Sequence, residues 1–189
     1  GTEKVEEELI GLFPAFQVAR MDVDTVKGKH AHDEMIRNFE QRHMDILVGT
    51  QMVVKGLDFD HVALVGILDA DGLLAFTDFR VNERAFQLME QVSGRAGRRD
   101  DKGLVIIQTA KPGHDIINDV INHDYKSFYT KEIESRRIFH YPPYTRLIQF
   151  FFRHTDKNKA FEAANFFASR MLPMFGDYLI GPAEPVINR

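Results

Sequence analysis

The sequence predicts an α/β fold, an open parallel sheet with helices on both faces, followed by part of a smaller α+β domain. Three observations carry this. The runs DILVGT (45–50), VALVGIL (62–68) and LVIIQT (104–109) are almost wholly apolar, as strands covered on both faces are. Segments with apolar residues at helical spacing alternate with them. The connections are short, and strands joined through helices pair in parallel by right-handed crossovers.

The elements follow in order. Thr2 is placed to cap a first helix whose apolar residues Val5, Leu9 and Leu12 or Phe13 share a face, and Pro14 stops it. The capping box is incomplete, because Val5 stands where Glu or Gln is wanted. FQVARM (16–21) alternates like a strand. Met35, Ile36 and Phe39 mark a helix near 31–41, ahead of the strand at 45–50. After the strand at 62–68, Val81, Ala85, Leu88 and Val92 mark a helix near 80–93. The strand at 104–109 leads to a short helix carrying Ile116, Ile117, Val120 and Ile121. Residues 1–123 are therefore expected to form one α/β sheet domain.

The pattern then changes. A helix near 124–138, with Tyr125, Phe128, Tyr129 and Ile133, runs into YPPY (141–144), where consecutive prolines break it. RLIQFFFR (146–153) reads as a strand, and 157–171 as a helix with Ala160, Phe161, Ala164 and Phe167 inward. One strand and one long helix do not close a core, so 124–189 reads as the beginning of a second, α+β domain, either cut short or completed by packing on the first.

Composition bounds the function classes. The 189 residues are 44% hydrophobic, enough for a sizeable core. No apolar run approaches the roughly 20 residues of a membrane helix, and the start, GTEKVEEEL, has neither an initiator Met nor signal-peptide character. It reads as an internal start within a longer protein. The absence of cysteine rules out disulfides and thiolate metal sites within this sequence and suits a cytoplasmic setting. Of eight histidines, His30 and His32 are the only close pair, with nothing to complete a metal-ligand set. The net charge of −4 gives no global attraction to nucleic acid, so such binding would rest on local patches.

Chemistry in an open parallel sheet gathers at the carboxyl ends of its strands. Gly49 and Thr50 stand at one such end, followed by QMVVKGLDF. A glycine lets a phosphate approach the backbone, a Thr hydroxyl can bond it, and Lys55 adds charge. The plain alternative is a tight loop at Gly49 and Gly56 with a solvated Lys55. Asp69 and Asp71, at the next strand end, could hold magnesium, but capping and turns are the commoner uses of Asp beside Gly.

QVSGRAGRR (91–99) gathers two glycines and three arginines after a good amphipathic helix. Arg95 and Arg98, three apart, share one face of a helical turn. Gly94 and Gly97 each cost a helix about 1 kcal/mol relative to Ala and clear space for another surface. Two guanidinium forks with that space, and Gln91 on the same side, form a receptor for polyphosphate. A C-terminal cap followed by a basic patch, partly balanced by Asp100 and Asp101, accounts for the spacing equally well.

Resemblance separates the two. QVSGRAGR resembles the Q-x-x-G-R-x-G-R signature of superfamily two helicases, and ILVGTQMVVKGLDF the signature before it in their second RecA-like lobe. GTEKVEEEL, RMDVDT, ILVGTQMVVKG, LVGILDADGLLAFTDFRVNERAFQLMEQVSGRAGRR and PPYTRL together are similar, in order, to the primosomal replication-restart helicases of the PriA family. The resemblance implies a RecA-like lobe of an ATP-dependent 3′ to 5′ DNA helicase, followed by the start of the family's C-terminal domain. It implies Arg98 as an arginine finger at the γ-phosphate of ATP, with Arg95, Gln91 and Gly94 at the same site and Asp58 near the ribose. Thr50, Gln51, Lys55 and Thr2 are implied on the DNA side. The implied partners are single-stranded and forked DNA, single-stranded-DNA-binding protein and other primosome components, with no membrane. No G-x-x-x-x-G-K-[ST] phosphate loop and no D-E-x-H motif occurs in the sequence, so ATP and Mg²⁺ would be held mainly by a first lobe, and this piece alone is expected to be inactive. The family's zinc insertion, which is rich in cysteine, has no counterpart here. The rival readings are a lobe of another repair or recombination translocase and a non-enzymatic RecA-like docking module.

Overall fold

A computed structural model describes residues 1–22, 29–50, 62–76, 78–94, 96 and 103–184, the side chains of residues 29 and 30 excepted. The elements are α1 (Thr2–Leu12), β1 (Val18–Met21), α2 (Lys29–Glu40), β2 (Ile46–Gly49), β3 (Leu64–Ile67), α3 (Ala70–Leu74), α4 (Val81–Ser93), β4 (Leu104–Ile107), α5 (Asp115–Ile121), α6 (Tyr125–Ile138) and α7 (Lys157–Phe175), with a 3₁₀ turn at Gly176–Tyr178. No helix among the described residues is long and apolar enough to cross a membrane.

Both strand pairings are parallel, as helical crossovers require. β1 pairs with β2 from Val18↔Ile46 to Met21↔Gly49, and β3 with β4 from Leu64↔Leu104 to Ile67↔Ile107. The expected single sheet is not what the described residues form: they make two two-stranded sheets, with an isolated parallel bridge between Val62 and Ala96. Each pair is closed by its own crossover, α2 in the first and α3 with α4 in the second, and no described ladder joins one pair to the other.

The expectation of strands covered on both faces is also corrected. Val65 and Ile107 pack against the main core and Ile67 is buried within it, whereas Leu64, Leu104 and Ile106 are more than half exposed. α4 and α5 supply the cover on the inner side through Ala85, Phe86 and Met89 and through Ile116, Ile117 and Val120. A smaller cluster surrounds the fully buried Met21, with Met35, Ile36 and Phe39 of α2, Leu47 of β2, and Val62 packed on it.

The chain divides into two compact units, Gly1–Tyr144 and Thr145–Arg189, and α6 falls in the first. The one buried residue of α6, Phe128, stacks on Phe86 of α4 with ring centroids 4.2 Å apart and planes 5° from parallel. Arg136 adds ion pairs to Glu83 of α4 at 2.7 Å and to Glu132 at 3.0 Å, and lies over the Phe79 ring at 5.3 Å. Partial burial acts to lower the Arg136 pKa, but the hydrogen bonds and charges of Glu83 and Glu132 outweigh it and raise the pKa above the ordinary value. A helix with that much of its packing on α4 belongs to the first unit.

In the second unit, α7 is capped by Asp156, whose carboxylate accepts the Asn158 amide at 2.9 Å. Phe167 on α7 meets Phe150 at 4.7 Å and Phe152 at 5.5 Å. RLIQFFFR, expected as a strand, forms no ladder among the described residues. Alternation alone does not make a strand, which needs a neighbour for its backbone hydrogen bonds.

Candidate functional site

The carboxyl ends of β1 and β2 are in register, Met21 opposite Gly49, so Asp22 and Thr50 emerge side by side at one sheet edge. Thr50 is exposed there. Thr2 reaches the same edge but does not cap α1, whose N-cap is Gly1 with no side-chain bond. Its hydroxyl instead donates to Asp22 Oδ2 at 2.8 Å. Arg20 closes the cluster, with Nη1 2.7 Å from Asp22 Oδ2 and Nε 2.9 Å from Glu6 Oε2. Burial acts to lower the Arg20 pKa, and the carboxylates of Asp22 and Glu6 outweigh it, so the pKa lies above its ordinary value. Asp22 is only 7% exposed, and this network turns a buried carboxylate into a fixed anchor for the start of α1. In this arrangement the Thr2 hydroxyl ties the start of α1 to the end of β1.

The arginine-rich signature begins where α4 ends. Gln91 is exposed in the last turn, and the Gly94 amide closes the helix on Glu90 O at 2.9 Å. Gly94 has φ −67°, outside the left-handed region, and a Cβ there would stand 3.3 Å from Glu90 O and 3.8 Å from Gln91 O. Both of those atoms belong to the end of the same helix. Ala96 follows with its amide on Ser93 O at 3.2 Å and pairs in parallel with Val62. Val62 in turn packs on the Met21 cluster. Arg95, Arg98, Asp58, Gln51 and Lys55 lie outside the described residues.

The acidic pair at the next strand end is taken up by turns. Asp69, at φ 53°, caps α3 by accepting the Gly72 amide at 3.1 Å. Asp71 Oδ2 accepts the Ala110 amide at 2.7 Å, and Oδ1 accepts the Thr109 hydroxyl at 3.1 Å. The Ala110 bond is the largest cause holding the Asp71 carboxyl below its ordinary pKa. These contacts fasten α3 to the end of β4. His32 lies 3.7 Å from Asp33, and no group of three metal-capable side chains occurs among the described residues.

Reading the sequence missed the Arg20–Asp22–Glu6 cluster. A signal was present, since Arg20 interrupts the apolar run VARM and Asp22 stands two residues after it. It also missed Ser93, whose hydroxyl oxygen is buried without a hydrogen-bond partner among the described residues.

Comparison with known proteins supplies the family. The helicase conserved C-terminal domain matches residues 2–100, more than half of the chain, and that span contains every residue discussed at both edges except Thr109 and Ala110. The replication restart protein PriA of Bacillus subtilis is 45% identical over 191 residues, covering 100% of this chain and 24% of the relative. The PriA proteins of Synechocystis sp. and Treponema pallidum are 42% and 43% identical, over 100% and 99% of this chain and 23% and 29% of their own lengths. The chain thus spans about a quarter of the length of these relatives. With parallel strand pairs, a helix ending in the signature and this agreement along its whole length, the chain belongs to the helicase conserved C-terminal domain family, on the side of the replication restart proteins.

Proposed function

We propose that this chain is the second RecA-like lobe, with the start of the following domain, of an ATP-dependent 3′ to 5′ DNA helicase that reloads replication at stalled forks. The observation that carries the reading is the similarity of this whole chain to about a quarter of the replication restart proteins, with QVSGRAGR inside the helicase-domain match. The Val62–Ala96 pairing supports it, because it ties the signature to the β3 side of the fold next to the residues that follow GLDF.

The roles divide by chemistry. Arg98 reaches the γ-phosphate of ATP bound on a partner lobe, and Arg95 and Gln91 support the same contact. A guanidinium is always charged and presents a fork that matches phosphate oxygens, so it stabilises charge spreading over the transferred group. Asp58 stands near the ribose. Thr50, Gln51 and Lys55 hold backbone phosphates of one DNA strand, which makes the grip independent of sequence and sensitive to salt. Thr2 and Asp22 hold that edge in shape. ATP draws the lobes together through the arginines, and hydrolysis releases them, moving one lobe along the strand. The sequence has no phosphate loop and no D-E-x-H, so the nucleotide cradle and the Mg²⁺ ligands belong to the other lobe. Single-stranded-DNA-binding protein and primosome components are the expected partners, in the cytoplasm.

The test is Arg98→Ala in the full-length protein. DNA-stimulated ATP hydrolysis should fall about 10³-fold or more while nucleotide binding is kept. Undiminished hydrolysis would remove Arg98 from the site.

A further inference from the structure

Asp22 buries a carboxylate at the point where β1 ends. Its Oδ2 accepts the Thr2 hydroxyl at 2.8 Å and Arg20 Nη1 at 2.7 Å, and Arg20 Nε reaches back to Glu6 Oε2 at 2.9 Å. Thr2 and Glu6 stand four residues apart on α1 and so share one face of it. One carboxylate thereby holds the start of that helix at two points, directly through Thr2 and by way of Arg20 through Glu6. Taking charges out of water is costly, and well-packed apolar residues of the same volume would fasten a helix to a strand as firmly. What an ionic network adds is a single arrangement, because its hydrogen bonds are directional.

The place that is fixed is the carboxyl edge of the first sheet. Met21 lies opposite Gly49, which sets Asp22 beside the exposed Thr50, and α1 packs against both β1 and β2. Two carboxylates and one guanidinium leave the network with a net negative charge, so it does not draw phosphate to the edge by itself. We propose that Asp22 is a positioning residue for the DNA strand: through Thr2 and the Arg20–Glu6 pair it sets the start of α1 against the end of β1 and so fixes the surface on which Thr50 meets backbone phosphates. The inference rests on the reading of Thr50 as a residue of the DNA side. The sign of the effect separates this role from electrostatics. Asp22→Asn deletes a negative charge beside the edge, which by charge alone strengthens phosphate binding, whereas loss of positioning weakens it.

The experiment measures the dissociation constant of the full-length protein for a single-stranded thymidine oligonucleotide, by fluorescence anisotropy over a range of salt concentrations. Asp22→Asn should weaken binding about threefold or more and leave the salt slope unchanged, since no cation that meets phosphate is removed. Asp119→Asn is the control: Asp119 of α5 is 5% exposed and paired with Lys131 at 2.9 Å, so its loss removes a similarly buried charge from the same unit away from the Asp22 network, and DNA affinity should not change. Unchanged or tighter binding by Asp22→Asn, or equal weakening in the two variants, overturns the inference. Should Asp22→Asn fail to fold, Glu6→Gln loosens the same tie from a side chain that is 25% exposed; it should weaken binding about twofold, and unchanged or tighter binding overturns the inference. Thr50→Ala tests the reading beneath it. If Thr50→Ala weakens binding while Asp22→Asn does not, only the Asp22 inference fails; if Thr50→Ala binds DNA as the unsubstituted protein does, the reading of Thr50 fails and the Asp22 inference falls with it.

Discussion

Removing the Phe128 ring should unfasten α6 from the first compact unit. Phe128 is 4% exposed, is the one buried residue of its helix, and stacks on Phe86 at 4.2 Å. A buried aromatic covers about 150–250 Å², which at about 25 cal/mol per Å² sets an upper limit of roughly 4–6 kcal/mol. The Cβ of the alanine keeps part of that contact, and measured Phe→Ala costs run about 3–5 kcal/mol. Tyr125 and Tyr129, both more than half exposed, flank the site on α6 and allow some collapse. The expected loss for Phe128→Ala is therefore about 3 kcal/mol, a large share of a domain's usual 5–15 kcal/mol. The assay is urea unfolding of the 189-residue chain, followed by far-ultraviolet circular dichroism and tyrosine fluorescence, since the chain has no tryptophan. Phe151→Ala serves as the comparison: Phe151 is 68% exposed in the second unit, and its removal should cost less than about 0.5 kcal/mol. A loss below about 1 kcal/mol for Phe128→Ala, or equal losses for the two variants, would refute the docking of α6 by this stack.

Two further outcomes follow from the charged groups. The Asp71 carboxyl is held below its ordinary pKa, first by the Ala110 amide, so it contributes stability in full above its unfolded pKa and loses it as pH falls through the folded value. The advantage of the protein over Asp71→Asn in urea midpoint should thus be greatest at neutral pH and shrink into the acid range; an advantage that grows on acidification would contradict the assignment. Lys55→Ala in the full-length protein should weaken single-stranded DNA binding to a similar degree for unrelated sequences and reduce the salt slope by about 0.7, as loss of one phosphate contact does. An unchanged slope in fluorescence-anisotropy titrations would place Lys55 away from the DNA.

The elements were legible because they are local. Val81, Ala85, Leu88 and Val92 recur with the period of a helix, and α4 runs from Val81 to Ser93; LVIIQT is an apolar run, and β4 occupies Leu104–Ile107. Asp69 could be read as a capping residue for the same reason, since it acts on the amide of Gly72, three residues on. Pairing and ownership are not local. RLIQFFFR has the pattern of a strand, but only a neighbouring backbone makes it one, and none of the described residues provides it. Nothing within residues 124–138 shows that Phe128 lies on Phe86, or that Arg136 is held by Glu83, because those contacts are created only when α4 and α6 come together.

The same distinction divides the candidate site. The arginines and glycines of QVSGRAGR announce themselves by residue type and spacing, because phosphate chemistry needs forked cations near exposed backbone, and that much the sequence determined alone. Only the tertiary structure decided that Thr2 gives its proton to Asp22, that Arg20 bridges Asp22 and Glu6, and that Ala96 pairs with Val62. A hydrogen bond between residues far apart in the chain depends on where folding leaves each donor and acceptor, and residue identity does not carry that information.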